Sequence, residues 1–149
     1  MAFGTFDCFH FGHESYLKQA KDRGDYLVVV VARDKTVKEL KGALPGKSEK
    51  ERLKIVKEAG LADDVWLGDL KDKWKVIREY RPDIICLGYD QHSFEKNLQK
   101  GLAEMGLGDT KIVRMEAFHP ERYKSSILKN SDEDKSRVNR GGDRGYYQK

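Results

Sequence analysis

The sequence predicts an α/β protein built on a single doubly wound, Rossmann-like sheet of five parallel strands with helices on both faces. The chain has 149 residues, a length that suits one domain of roughly 100 to 200 residues. Five short apolar runs, mostly of β-branched residues, are spread along it. Such non-alternating runs are typical of parallel strands covered on both faces. Helical patterns separate the runs, and this order predicts right-handed crossovers onto one parallel sheet.

The strands are predicted at the apolar runs, and the helices at the segments between them where apolar residues recur at helical spacing. The strand ranges are 1–3, 26–32, 65–67, 83–87 and 111–115. The helix ranges are about 13–23, from 48 onward, 72–80 and 93–105. Ser48 and Glu51 form an S-x-x-E capping box that predicts the start of the second helix. Gly24 and Pro82 are predicted to end the first and third helices.

The composition excludes several classes of protein. Charged residues make up 36% and hydrophobic residues 38%, and because the hydrophobic residues come in runs, we expect a folded core. No stretch approaches the ~18 apolar residues of a membrane helix and no signal peptide is recognisable, so a cytoplasmic protein without a membrane partner is predicted. Cys8 and Cys86 each lie in an apolar segment and are predicted to be buried free thiols.

The strongest chemical signal lies in residues 3–13, where a strand end leads through a turn into a helix. His10 and His13 are three residues apart at the helix start, so both imidazoles can face one point above its N-terminus. The N–H groups and partial positive charge there suit nucleotide phosphates, and Gly4 and Gly12 leave room for their approach. The two histidines also fit a metal site or ordinary surface residues.

The segment from Gly4 to His13 resembles the H-x-G-H signature of the cytidylyltransferase-like nucleotidyltransferases. Three further segments are similar to motifs of that superfamily, in the same order. They are the basic loop 41–47 with Glu51-Arg52-Leu53, the segment 88–91, and the segment 124–127 at the start of a late helix. The resemblance covers about residues 2–130. It makes 1–130 the expected nucleotidyltransferase domain and leaves 131–149 as a polar C-terminal tail or short helix.

The resemblance implies that an acceptor phosphate attacks the α-phosphorus of a nucleoside triphosphate and that pyrophosphate leaves. The implied catalytic residues are His10, His13, Lys41 and Lys47. The implied nucleotide-binding residues are Gly4, Thr5, Phe6, Gly12, Gly88, Asp90, Gln91, Ser125 and Ser126. Asp7, Lys41 and Arg122 are implied to bind the acceptor. Mg²⁺ would bridge the triphosphate oxygens, with no metal ligand assigned to the protein.

Several of these residues have plainer interpretations. Lysines are usually solvated, Asp90 and Gln91 are suited to capping the helix that follows them, and Ser125 is suited to an N-cap. His92 and His119 have no motif around them and are predicted to be surface residues. Trp74 and Phe94 fit helix faces and are predicted to lie in the core.

Within the superfamily, segments 31–37 and 87–91 look most like archaeal-type FAD synthases, which transfer AMP from ATP to FMN and release pyrophosphate. Segment 121–127 lacks the paired threonines of glycerol-3-phosphate cytidylyltransferases, which share the H-x-G-H motif. Such a cytidylyltransferase, using CTP, or another small phosphate-acceptor cytidylyl- or adenylyltransferase stays the alternative. A nucleotide-binding regulatory module is the non-enzyme alternative. The resemblance also implies a homodimer.

The net charge of +4 comes from one part of the chain. Residues 33–54 hold eight basic and four acidic side chains, and the remaining residues are balanced. This segment includes both of the implied lysines. The pattern predicts a local field for small polyanions, and no nucleic-acid partner is expected.

Overall fold

The computed structural model describes residues 1–118, which contain one five-stranded parallel sheet. In chain order the strands are β1 (Ala2–Gly4), β2 (Val28–Val31), β3 (Asp64–Leu67), β4 (Ile84–Leu87) and β5 (Lys111–Arg114). Their order across the sheet is β3-β2-β1-β4-β5, and every neighbouring pair is parallel. The predicted fold class and all five predicted strands are therefore confirmed.

Five helices lie within the described part of the chain. They are α1 (Phe11–Lys21), α2 (Asp34–Lys41), α3 (Glu49–Glu58), α4 (Lys75–Tyr80) and α5 (His92–Glu104). The capping box of α3 forms as predicted, because Glu51 N–H donates to Ser48 Oγ and Ser48 N–H donates to the Glu51 carboxylate. None of these helices is long and apolar enough to cross a membrane.

Alternate residues of the strands face two separate hydrophobic cores, one on each side of the sheet. Val29 and Val31 pack in a core with buried residues of α1 and with Val56 of α3. Val28 and Val30 pack on the opposite side with buried residues of α4 and α5. Both faces of the sheet are thus covered by helices, which explains why the sequence of β2 is four consecutive valines.

Helix α2 was not among the predicted helices. Its eight residues, DKTVKELK, include one buried apolar side chain, Val37, and its Leu40 is 80% exposed. A helix with so little buried surface has no apolar stripe to recognise in the sequence. Gly42 ends it in the left-handed conformation at φ 78°, a common helix ending.

Helix α4 begins at Lys75, three residues later than the predicted boundary. The residues before it form turns around two aspartates instead. The N–H groups of Lys71 and Asp72 donate to Asp69 Oδ1, and the N–H of Trp74 donates to Asp72 Oδ1. Aspartate side chains that bond nearby backbone groups compete with helix formation in this way.

The core aromatics and one of the two cysteines lie where the sequence predicts. Both cysteines are free thiols, but only Cys86 is buried, while Cys8 is partly exposed. Trp74 and Phe94 are partly buried and pack against the core under α4 and α5, as predicted. His92 is exposed, as predicted, whereas His119 and residues 131–149 lie outside the described residues.

The sheet has an opening between its central strand, β1, and the neighbouring strand β4. Strands β1 and β4 pair at Ala2 and Cys86, and this is where the strand order reverses. The Tyr16 hydroxyl of α1 bridges the two strands, lying 2.7 Å from the Cys86 carbonyl oxygen and 3.2 Å from the backbone nitrogen and oxygen of Phe3. In sheets of this type, ligands bind at the carboxyl ends of the strands beside such a reversal.

Candidate active site

Two histidines lie at the N-terminus of α1, directly after β1. His10 is the N-cap of the helix, and its Nδ1 accepts a hydrogen bond of 3.0 Å from Gly12 N–H. His13 Nδ1 accepts one of 3.3 Å from His10 N–H. The two rings stack with their centroids 3.9 Å apart. Their spacing in the sequence thus does bring the two imidazoles together, and the helix start places them above the first strand.

Both histidines are held in the neutral form. Burial lowers the pKa of His10 to about 4. Burial lowers the pKa of His13 to about 3, and the neighbouring His10 and Lys41 charges contribute to the shift, while a hydrogen bond with the Cys8 backbone and the Asp7 charge oppose it. Since each Nδ1 accepts a hydrogen bond, the single proton of each neutral ring lies on Nε2. At pH 7 the pair is therefore a set of neutral N–H donors beside the positive end of a helix.

The loop between β1 and α1 contains a backbone conformation that is unusual for its residue. Phe6 has φ 55°, in the left-handed region, although it is not glycine. Its ring is buried and packs edge-on to His13, with centroids 5.4 Å apart. A Cβ on Gly4 would lie 2.8 Å from two ring atoms of Phe6. Gly4 therefore provides the space for Phe6, which in turn supports His13.

Asp7 connects this loop to the lysine loop between α2 and α3. Its carboxylate is buried and accepts hydrogen bonds from Gly46 N–H at 2.8 Å and Lys47 N–H at 2.9 Å. Lys41 lies close enough for its charge to lower the pKa of His13. The predicted residues Asp7, Lys41 and His13 are thus grouped in space, together with the backbone of Lys47. The predicted acceptor contact of Asp7 stays a prediction, but its observed bonds hold the lysine loop.

Arg52 of α3 is fully buried, and the sequence predicts no site role for it. Its guanidinium donates to the Thr5 carbonyl at 2.8 Å, to Asp34 Oδ1 at 2.7 Å and to the Lys47 carbonyl at 3.2 Å. The arginine therefore joins the first loop, the start of α2 and the lysine loop. The segment Glu51-Arg52-Leu53 marked its position in the chain, but two of its three partners, Thr5 and Asp34, are distant in sequence.

The segment after β4 closes the other side of the opening in the sheet. Gln91 Nε2 donates to the Phe3 carbonyl at 3.0 Å, and its Oε1 accepts from Gly88 N–H at 2.8 Å. Arg114 of β5 donates to the Gly88 carbonyl at 2.8 Å and pairs with Glu95. Asp90 is exposed beside them. Gln91 thus bridges the carboxyl ends of β1 and β4 in the present structure, and its predicted contact with a nucleotide stays a prediction.

The sequence comparison with known families agrees with this geometry. Residues 1–131 match the model of the cytidylyltransferase-like family. The chain belongs to that family. The resemblance noted in residues 4–13 is thereby confirmed, and it extends over all the described residues.

Individual members of the cytidylyltransferase-like family are similar along most of the chain. An FAD synthase of Methanothermus fervidus is 46% identical over 131 residues, covering 86% of this chain and 86% of that protein. An FAD synthase of Archaeoglobus profundus is 44% identical over 127 residues, covering 85% and 79% respectively. A crystal structure described as the lipopolysaccharide core biosynthesis protein from Thermoplasma volcanium GSS1 is 44% identical, has a TM-score of 0.72, and matches 79% of this chain and 95% of its own.

Three of the predicted site residues of this cytidylyltransferase-like protein cannot be placed in the fold. Arg122, Ser125 and Ser126 lie outside the described residues. The remaining predicted residues lie on segments at the carboxyl ends of β1 and β4, except for Lys41 at the end of α2 and Lys47 on the lysine loop that Asp7 and Arg52 attach to the β1 end.

The acidic groups at this site bear on how Mg²⁺ could be held there. Among residues 1–118, no group of three or more His, Cys, Asp or Glu side chains is arranged to hold a metal ion. The Asp7 carboxylate beside His13 bonds two backbone amides. Such a site fits a magnesium ion that is held by triphosphate oxygens and water. We therefore assign no residue of this chain as a ligand and derive no step through the metal.

Proposed function

We infer that this protein is an FMN adenylyltransferase, which transfers AMP from ATP to FMN and produces FAD and pyrophosphate. The observation that carries this inference is the high similarity of the chain, over most of its length, to archaeal FAD synthases. The site at the carboxyl ends of β1 and β4 is suited to this reaction, because it offers neutral donors and cations where phosphates would lie.

The reaction needs charge stabilisation more than it needs a covalent residue. An oxygen of the FMN phosphate forms a bond to the α-phosphorus of ATP, and the bond from that phosphorus to the bridging oxygen of the leaving pyrophosphate breaks. Negative charge develops on the pyrophosphate and on the α-phosphate oxygens. Fixed N–H donors and cations aimed at these oxygens lower the barrier without reorganising during the reaction.

The histidine pair supplies donors for this charge. We assign the Nε2–H groups of His10 and His13 to the oxygens of the α-phosphate and the leaving pyrophosphate. Because burial lowers the pKa of both rings, we assign them the role of neutral hydrogen-bond donors to this charge. The first turn of α1 adds backbone N–H groups of the same polarity.

The lysine loop is assigned to the second phosphorylated substrate. Lys41 ends α2 close to His13, and Lys47 follows on a loop whose backbone is bonded to Asp7. Two ammonium groups there would reduce the repulsion between the phosphates of FMN and ATP, which must approach each other for the bond to form. Mg²⁺ carried by the nucleotide would neutralise further charge on the triphosphate.

Several finer assignments belong to this proposal as well. Gly88, Asp90 and Gln91 are assigned to the base and ribose of ATP, while Ser125 and Ser126 are assigned to its phosphates. Arg122 is assigned to the acceptor. A cytoplasmic location and a homodimer stay predictions of the sequence.

The test is a direct assay of the purified full chain with FMN, Mg²⁺ and either ATP or CTP, followed by chromatographic separation of flavins. We expect FAD from ATP and no cytidylyl product. His10→Ala and Lys41→Ala should each lower kcat by about 10²- to 10³-fold, the usual effect of removing a donor to developing charge. Lys100→Ala, an exposed lysine on α5, is the matched control and should retain full activity.

The alternatives give distinct outcomes in the same experiment. Product from CTP and glycerol-3-phosphate without FAD from ATP would establish the cytidylyltransferase and exclude FMN adenylyl transfer. Tight binding of ATP in calorimetry, with no pyrophosphate released for any acceptor, would instead establish a nucleotide-binding regulatory module.

A further inference from the structure

The backbone of Lys47 is held from both sides by buried charged groups. Its N–H donates to Asp7 Oδ1 at 2.9 Å, and its carbonyl accepts from Arg52 Nε at 3.2 Å. Gly46, the preceding residue, donates to the other oxygen of Asp7. Lysines on surface loops do not normally have their peptide groups bonded to two buried ionised side chains, since loop backbone is mostly solvated.

The guanidinium that holds this lysine also holds the nucleotide side of the site. Arg52 donates to the Thr5 carbonyl at 2.8 Å, and Thr5 lies in the same loop as Asp7, between β1 and the histidines. One planar group therefore bonds the carbonyls of both loops and sets their separation. Arg52 offers its bonds in a rigid fork geometry that a lysine cannot reproduce.

Burying an arginine completely is an inefficient way to stabilise a fold. Arg52 has 0% exposure, and Asp34, its ionic partner, is one-third exposed. Removing a guanidinium from water costs free energy that its pairing largely just offsets, so an apolar residue of similar size often stabilises a protein at least as well. What the arginine provides that an apolar residue lacks is a fixed geometry between the two loops.

We propose that Arg52 is a positioning residue for Lys47. Together with Asp7 it fixes the backbone of Lys47 relative to the loop between β1 and α1, and so orients the Lys47 ammonium toward the reacting phosphates. This proposal rests on the function inferred above. Arg52 acts through Lys47, and its charge is neutralised locally by Asp34. Its side chain is fully buried, so we assign it a positioning and not a catalytic role.

The proposal predicts a specific kinetic change. When two phosphates must be placed against each other, a displacement of about 1 Å in a positioning group can cost roughly 10²-fold in rate. Loss of the Arg52 bonds should therefore lower kcat while leaving KM for ATP and FMN nearly unchanged, because both substrates keep their other contacts. A merely structural residue would change the melting temperature without this separation of kcat from KM.

The experiment is a double-mutant cycle on the full chain, measured as FAD formation at a temperature well below the melting point of each variant. Arg52→Lys should lower kcat by about 10- to 100-fold in the wild-type background. In the Lys47→Ala background the same change should lower kcat less than threefold, because the side chain that Arg52 orients is gone. Arg33→Lys is the matched control, since Arg33 bonds Glu49 and the Gly68 carbonyl but not the lysine loop. It should leave kcat within twofold.

Asp7→Asn provides a second test, because Asp7 accepts the N–H of Lys47. It should lower kcat in the wild-type background and have a much smaller effect on kcat in the Lys47→Ala background. It serves as the decisive variant if Arg52→Lys does not fold. Equal factors in both backgrounds, or a wild-type kcat in Lys47→Ala, would overturn the positioning assignment. A wild-type chain that makes no FAD would instead overturn the proposed function, so the two failures are distinguishable.

Discussion

At the scale of single residues, the histidine pair shows how local packing selects the chemistry of a side chain. An exposed imidazole carries a proton for part of the time at neutral pH, but burial and close stacking oppose a charge on either ring. The Nδ1 atoms are occupied by backbone N–H groups. Each ring is therefore a neutral tautomer that donates from Nε2, and the proposed function uses this donor toward a phosphate oxygen.

The same burial makes stability depend on pH. The pKa of His13 is about 3 in the folded chain, against about 6.5 in an unfolded one, so the unfolded chain binds more protons between pH 6.5 and pH 3. The contribution of the neutral His13 to the unfolding free energy is therefore fully present above pH 6.5 and is lost as the pH drops through this window. Between pH 7.5 and pH 5.0, the unfolding free energy measured with urea should fall by up to about 2 kcal/mol less in His13→Gln than in the wild type. Equal losses in the two proteins would show that His13 is protonated in the native state.

Gly4 is the residue whose replacement should disturb the site most directly. Gly4→Ala would place a Cβ 2.8 Å from the buried Phe6 ring, and the ring is confined by its packing against Phe9 and His13. We expect a loss of about 1 to 3 kcal/mol in unfolding free energy, together with reduced activity because His13 must move. Gly24→Ala, which meets no atom within 4 Å, is the control. A Gly4→Ala protein as stable and active as this control would contradict the packing argument.

At the scale of elements, helix α5 contains a glycine that the helical pattern does not explain. Gly101 lies in its interior, where alanine would stabilise an isolated helix by about 1 kcal/mol. A Cβ at this position would lie 2.4 Å from the Trp74 ring. The glycine thus allows the residue before α4 to pack closely on α5, and tertiary packing overrides helix propensity here.

Replacement of Gly101 therefore tests which of the two effects is larger. Gly101→Ala should lower the unfolding free energy by about 1 to 3 kcal/mol, because the Trp74 ring must be displaced from the core. Trp74→Leu in addition should recover part of the loss that the alanine causes, since the clash is removed. Thermal or urea unfolding measures both effects. An increase in stability for Gly101→Ala alone would show that the ring moves aside at little cost.

At the scale of the whole molecule, the surplus positive charge lies on α2, α3 and the loop between them, beside the proposed phosphate site. Within residues 33–54, Arg33 and Arg52 are neutralised in ion pairs with Glu49 and Asp34. The remaining surplus is carried by exposed lysines of α2, α3 and the loop between them. The field of this region is therefore available to attract anionic substrates.

This distribution predicts a salt-dependent interaction with both substrates. Raising KCl from about 50 to 500 mM shortens the Debye length from about 14 to 4 Å, so KM for ATP and FMN should increase several-fold. Lys41→Ala should reduce this dependence and Lys100→Ala should not. Steady-state kinetics at fixed Mg²⁺ measures it. A KM that does not change with salt would contradict a role for the local field in substrate binding.

Much of the fold could be predicted because it depends on neighbours in the sequence. The valines of β2, the capping box of α3 and the spacing of His10 and His13 are local patterns, and the structure contains each of them. Helix α2 was missed because it buries only Val37 and thus lacks a local pattern to detect.

The sequence by itself determined the parallel five-stranded architecture, the histidine pair at the start of a helix and the concentration of charge in residues 33–54. Only the tertiary structure decided that Asp7 and Arg52 hold the lysine loop, and that Gln91 and Tyr16 close the opening between β1 and β4. The reason is physical. Strand and helix patterns arise from the regular backbone geometry of adjacent residues, whereas a buried charge finds its partners only when distant segments have packed together.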